Sequence, residues 1–187
     1  CKPLILILSP TRELTEQTYK VCRMLLNNTG INCVKLFGGV PHVDQIREMK
    51  PGAEIVIATP GRLIDYVKRG TIVLNYIQYL ILDEADRMLD MGFEKQLSEI
   101  VFLYQMPDKS NRQSLLFSAT FSPEVCTSAN AYIKDYIIAS TNLNLNDNSG
   151  NKNIEQNFIF CEENNKLFKI HEILQSVKGK VISKSTV

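Results

Sequence analysis

"LILDEADRML", residues 80–89, joins an apolar run to a knot of acid. Tyr79-Leu80-Ile81-Leu82 has the length and composition of a buried strand. It ends without transition in Asp83-Glu84, with Asp86 just beyond. Carboxylates resist burial. A strand that delivers them has its end at the rim of a sheet, where charge can meet water, a metal or a ligand.

The same change from apolar run to polar turn recurs along the chain. Strand candidates are residues 4–8, 33–37, 54–58, 79–83, 115–118 and 136–139. They are short, rich in Ile, Leu and Val, and do not alternate with polar residues, which suits a sheet buried on both faces. Helical periods lie between them. Residues 12–27 set Leu14, Val21 and Leu25 on one face, and 60–69 set Leu63, Ile64 and Val67 together. Residues 93–104 do the same with Leu97, Ile100 and Val101, and 123–133 with Val125, Ala129 and Ile133. Strand and helix in alternation predict βαβ units, hence an α/β fold with a mostly parallel sheet. "TNLNLNDNSGNKN", residues 141–153, is polar, has no period and reads as a linker. Beyond it, residues 158–161, 166–177 and 180–182 read as strand, helix and strand, the opening of a second α/β domain.

Composition excludes several classes. A net charge of +1 is not the footprint of a protein that coats nucleic acid, so any such binding must come from a few placed groups. No run of about eighteen apolar residues could span a bilayer. The five cysteines are scattered and form no CxxC pair. That points to reduced thiols in the cytoplasm or nucleus, and away from a disulfide scaffold or a zinc site. His42 and His171 stand far apart without a metal-ligand spacing. Residue 1 is Cys and is followed almost at once by an apolar run, while the last residues stop just after one begins. The chain therefore reads as a piece of a longer protein.

In open α/β sheets, ligands gather at the carboxyl ends of the strands. Here those ends carry "SPTRE" (9–13), "TPGR" (59–62), "DEAD" (83–86) and "SAT" (118–120). Pro10 and Pro60 suit a first helical turn beside a capping Ser or Thr, and free N–H groups there suit a phosphate. Arg12 and Arg62 add charge-assisted donors. Gly38 and Gly39, after the second strand, allow a backbone to approach closely. Asp83 suits the hard-oxygen needs of Mg²⁺, and Glu84 beside it could deprotonate a water for attack on a γ-phosphate. Singly, each of these is also a common device: a well-capped helix, a solvated acidic turn, a strand terminator.

Together, and in this order, "PTRELTEQ" (10–17), "GG" (38–39), "TPGRL" (59–63), "DEAD" (83–86) and "SAT" (118–120) resemble the motifs of DEAD-box ATP-dependent RNA helicases. "DEADRMLDMGFEKQL" and "RQSLLFSATFSPEV" look most like the Vasa-type branch. The resemblance runs from about residue 4 to about residue 177. It implies a RecA-like domain over 1–140, a linker at 141–153 and the start of a second RecA-like domain at 154–187. RNA would be held by Pro10, Thr11, Arg12, Gly38, Gly39, Thr59, Pro60, Gly61 and Arg62, with Gln45 and Arg47 assisting. Contacts to phosphates and 2′-hydroxyls imply little sequence preference. Asp83 would support the Mg²⁺ of Mg-ATP, through water, and Glu84 would be the catalytic base. Ser118 and Thr120, with Asp86 and Ala119, would couple hydrolysis to strand separation.

The family also carries an adenine-reading segment and a phosphate loop, GxxxxGK[ST], before "PTREL". No glycine of this chain opens such a loop; Gly179-Lys180-Val181 fails at its last position. A mid-sheet strand is accordingly expected before residue 1, and nearly all of the second domain lies outside the chain. After residue 180 only Val181 and Ile182 precede Ser183, where the family has a longer apolar strand. The expectation is a helicase fragment that does not hydrolyse ATP alone. The alternative is a truncated, non-catalytic RNA-binding or interaction module. Neither a membrane nor a particular protein partner is implied.

Overall fold

Successive residues of a strand face opposite sides of its sheet, and here both sides are apolar. The computed structural model describes residues 1–140 and 157–176. Strands β1 (Ile5–Leu8), β2 (Cys33–Leu36), β3 (Ile55–Ala58), β4 (Tyr79–Leu82) and β5 (Gln113–Leu116) form one sheet in the order β2-β3-β1-β4-β5. Every pairing is parallel. Leu6, Leu8, Val34, Leu36, Val56, Ala58, Leu80 and Leu82 fill the larger core. They share it with Met49 of α2 (His42–Met49), Leu63, Ile64 and Tyr66 of α3 (Pro60–Lys68) and Met88 of α4 (Ala85–Asp90). Leu97, Ile100 and Val101 of α5 (Glu94–Leu103) and Tyr132 of α6 (Pro123–Tyr132) also belong to it. A smaller core joins Ile7, Cys33, Ile55 and Ile57, with Tyr19 and Cys22 of α1 (Arg12–Leu25) and Leu26 packed against it. The family-type fold expected from the motifs is thus present as a partial, helix-flanked parallel sheet.

The chain divides into two compact units, Cys1–Leu143 and Asn144–Val187. In the second, a 3₁₀ turn at Glu163–Asn165 leads into α7 (Lys166–Ser176). The expected linker at 141–153 and the strand at 180–182 lie outside the described residues.

Several expectations are corrected. The fifth strand begins at Gln113 rather than Leu115 and ends at Leu116, because pairing of Tyr79 with Gln113 and of Leu82 with Leu116 sets its register. Phe117 and Ser118 therefore lie beyond the sheet. Residues 136–139 form no strand. They and β5 line a groove of about 620 Å³, and among the described residues no strand pairs with them. Residues 158–161 form no strand either; Phe158 and Phe160 are almost fully exposed, and no described strand pairs with them. Helices α2 and α4 were not expected: α2 is mostly polar and α4 has only six residues.

Helix α1 turns a different face inward from the one expected. Val21 and Leu25 are 47% and 71% exposed. The packed stripe is Thr15, Tyr19, Cys22 and Leu26, which has the same helical spacing. Leu25→Ser should therefore shift urea-unfolding stability by no more than about 0.5 kcal/mol. Leu26→Ala should cost about 2 kcal/mol. The opposite order would restore the face that the periodicity first suggests.

Candidate functional site

Parallel pairing in a common register decides where the motifs go. Leu8 pairs with Ala58 and Leu82, Ala58 with Leu36, and Leu82 with Leu116. Five strands therefore end in one row, and the segments that follow share one rim. Read across the sheet, their order is Phe37–Val40, Thr59–Arg62, Ser9–Arg12, Asp83–Asp86 and Phe117–Thr120. The arginines and glycines occupy the β2-β3-β1 half, and the carboxylates and hydroxyls occupy the β4-β5 half.

On the acidic half, the Asp83 N–H donates to the Leu8 carbonyl (2.9 Å) and the Ala85 N–H to the Phe117 carbonyl (3.0 Å). These bonds tie the exits of β1, β4 and β5 together. Between them Glu84 adopts left-handed backbone angles, φ +51° and ψ +54°. Its carboxylate accepts from Arg87 at 3.2 Å, an exposed pair of the i,i+3 kind that contributes little to stability. Burial and the neighbouring Glu84 charge push the half-buried Asp83 carboxyl up. A bound cation would relieve that charge crowding. No described group of three acidic, His or Cys side chains could cage a metal. The site fits a hard ion that keeps its waters and bridges phosphates, and it does not fit an all-protein metal centre.

Asp86 is held differently. The Thr120 N–H and Oγ1–H both donate to Asp86 Oδ2, at 3.0 and 2.9 Å. The Arg87 N–H donates to Oδ1 at 3.0 Å. Ser118 Oγ accepts from the Asp86 N–H (3.3 Å) and donates to the Thr120 carbonyl (2.7 Å). This ring locks the start of α4 to the loop after β5. Burial pushes the Asp86 carboxyl up, but the bonds from Thr120, Arg87 and Ser118 outweigh it and hold it below its ordinary value. Ala119 is exposed and lies outside the ring.

On the other half, Thr11 caps α1 by accepting from the Leu14 N–H (3.3 Å), and Pro10 is buried. The Arg12 guanidinium lies 4.9 Å from the Phe37 ring centre and remains exposed. Gly38 and Gly39 are exposed, and Gly39 has φ +80°, which favours glycine. Thr59 is the N-cap of α3, Pro60 is buried and Gly61 exposed. Arg47 is exposed on α2.

Two residues expected to face RNA turn inward. Arg62 is only 8% exposed. Its Nη2 donates to the Val40 carbonyl at 3.0 Å, and its Nη1 lies 2.8 Å from both ring nitrogens of His42. Gln45 is buried; its Nε2 donates to the Phe37 carbonyl at 3.1 Å and its Oε1 accepts from the Tyr66 hydroxyl at 3.0 Å. Both hold the Phe37–Val40 loop, because carbonyls there offer the same acceptor chemistry as a phosphate. His42, Tyr66 and Arg87 were not singled out from sequence. Only Arg87, three residues after Glu84 on a helix, carried a signal that could have found it.

Because the Asp86 carboxyl is held low, its ring with Thr120 is fully present above the ordinary carboxylate value of about 3.9. It is lost as pH falls through the lowered value. The Thr120 amide resonance should therefore move in one step below about pH 4, and Asp86→Asn should remove that step.

The chain is similar to known proteins in sequence and in fold. The family model described as DEAD/DEAH box helicase matches residues 1–128. A curated relative from Oryza sativa subsp. japonica, DEAD-box ATP-dependent RNA helicase 52A, is 48% identical over 136 residues. The match covers 73% of this chain and 23% of that protein. The crystal structure of the yeast DEAD-box splicing factor Prp28 superposes with TM-score 0.66 at 34% identity, covering 71% of this chain and 31% of that one. A hypothetical ATP-dependent RNA helicase from Sulfolobus tokodaii gives TM-score 0.64 at 35% identity, covering 72% and 39%. The chain thus spans well under half of each. Matched over more than half its length, and with the motifs gathered on one rim, the chain belongs to the DEAD/DEAH box helicase family.

Proposed function

We propose that this chain is the greater part of the first RecA-like domain, with the beginning of the second, of an ATP-dependent RNA helicase of the Vasa-type branch. The observation that carries the reading is the divided rim. Groups suited to successive phosphates of a strand lie at the ends of β2, β3 and β1. Groups suited to a metal-bound triphosphate lie at the ends of β4 and β5. Glycines and helix N-termini give the first half close backbone approach and unpaired N–H donors. The paired Asp83 and Glu84 give the second half a carboxylate for the metal side and one for the attacking water. Mg²⁺, when bound with ATP, would neutralise charge on the β- and γ-phosphates. The Asp86–Ser118–Thr120 ring joins two loops of the nucleotide half and would carry its state to the rest of the rim.

RNA contacts then fall to Thr11, Arg12, Gly38, Gly39, Thr59 and Gly61 at the surface, with Arg47 nearby. Pro10, Pro60, Gln45 and Arg62 set the backbone that presents them. Recognition through phosphates and 2′-hydroxyls gives little sequence preference. The branch assignment rests on residues 83–97 and 112–125, where the resemblance extends past the motifs. Scattered cysteines and RNA as a partner suit the cytoplasm or nucleus; no described helix is long and apolar enough to cross a membrane.

Binding of a fluorescein-labelled single-stranded oligouridylate, followed by anisotropy against salt, tests the RNA half. Affinity should fall as salt rises, and Arg12→Ala should lower the slope of log K against log salt by about 0.7. An unchanged slope removes Arg12 from the phosphate contacts. The nucleotide half is tested by ATP turnover with RNA and Mg²⁺. With no GxxxxGK[ST] in the sequence, the chain alone should show none. Turnover that Glu84→Gln abolishes would overturn that expectation while supporting Glu84 as the base.

A further inference from the structure

We infer that Phe37 is a positioning residue for RNA binding: its buried ring holds the exposed Arg12 guanidinium against the Gly38–Gly39 loop, so that two motifs separated by the exit of β3 form one phosphate site. The inference rests on the proposed RNA reading for its ligand; the placement of Arg12 stands on geometry.

Arg12 opens α1 at the exit of β1 and Phe37 follows β2, with β3 between the two strands. The Arg12 guanidinium nevertheless lies over the Phe37 ring, 4.9 Å from its centre. Its Nη1 is also 3.8 Å from the point that a Cβ on Gly39 would occupy. The side chain thus crosses the β3 exit to reach the second loop. The ring that receives it is fixed in place. Phe37 is 4% exposed, and its carbonyl accepts from the buried Gln45 at 3.1 Å. Lys35 faces the same ring at 5.7 Å, but its charge is answered by Glu16 at 2.7 Å. Among the described residues Arg12 makes no ion pair and no side-chain hydrogen bond.

A guanidinium with free donors suits the oxygens of a phosphate. A long exposed side chain must first be ordered, and that ordering weakens binding. A ring face supplies the order without using a donor, because a cation over it is attracted to the π-electrons. A carboxylate partner would also order Arg12, but it would occupy the donors and offset the charge. The glycines complete the arrangement. Exposed and without side chains, they let a phosphate reach the backbone beside the guanidinium. A side chain at Gly39 would touch Arg12 and would be strained at φ +80°. Phe37 is too buried to touch the RNA, so its part is carried through Arg12.

The Arg12 Nε–H resonance of the 187-residue chain, without RNA, reports the placement. Over the Phe37 ring it should lie upfield of an unstacked arginine's. Phe37→Leu keeps an apolar side chain but no ring and should remove the displacement, while Phe37→Tyr should retain it. A wild-type resonance at the unstacked position overturns the inference, whether or not any variant folds. Affinity for the labelled oligouridylate then tests the consequence. Phe37→Leu should weaken it about two- to fivefold, the size of one exposed cation–π contact. Phe37→Tyr should restore it. In an Arg12→Ala background, Phe37→Leu should cause no further loss. Equal loss in the two backgrounds makes the ring a core side chain only and overturns the inference. A chain that binds no oligouridylate sinks the RNA reading and, with it, the role in binding; the Arg12 resonance still decides the placement.

Discussion

Five strands paired in parallel, with Leu36, Ala58, Leu8, Leu82 and Leu116 in one row, are the constraint on which everything else in the first unit rests. A parallel sheet needs crossovers, and helices lie between its strands. It also sends every strand out of the same edge, so segments far apart in sequence become neighbours. The chain needs no long-range motif recognition to assemble its rim; it needs only apolar runs of matched length and a register. A one-residue slip of β4 would exchange the inward Leu80 and Leu82 for Tyr79 and Ile81. It would also misplace Asp83 and Glu84.

Strand order then sorts the chemistry. Had β1 lain at an edge, the Arg12 segment would stand apart from the carboxylates. In the observed order β1 is central, with the glycine and arginine loops on one flank and the acidic loops on the other. Like groups thus fall on neighbouring strand ends, and the two kinds fall on opposite sides of β1. The bonds of Asp83 to Leu8 and of Ala85 to Phe117 join the flanks through backbone alone. A shift at one strand end is thus transmitted to its neighbours by rigid peptide groups.

Much of this was legible in the sequence, for physical reasons. Asp83 and Glu84 could be placed because an apolar run stops where charge begins. The shared rim follows from βαβ alternation. Other features were not legible. On α1, the set Leu14, Val21 and Leu25 fits the helical period as well as Thr15, Tyr19, Cys22 and Leu26 does, yet Val21 and Leu25 lie outside and Leu14 is only half-buried. Residues 136–139 have strand composition, but a strand exists only with a neighbour. Arg62 and Gln45 carry donors that serve a carbonyl as readily as a phosphate, so sequence pattern cannot say which they meet. His42 looked ordinary because the residue its ring packs against, Arg62, lies twenty positions away on another element.

Glu84 shows where the fold's interest and the chemistry's diverge. Its left-handed backbone costs an L-residue with a long side chain about 1–2 kcal/mol, while glycine or asparagine would accept it readily. Selection for robustness alone would drift this position toward those residues. Glycine and asparagine would leave no carboxylate at the strand's end beside Asp83, where the Glu84 carboxylate instead accepts from Arg87. If the proposed role of Glu84 holds, the position is a local gauge of use: a chain released from that chemistry would be expected to lose this residue before it lost its core.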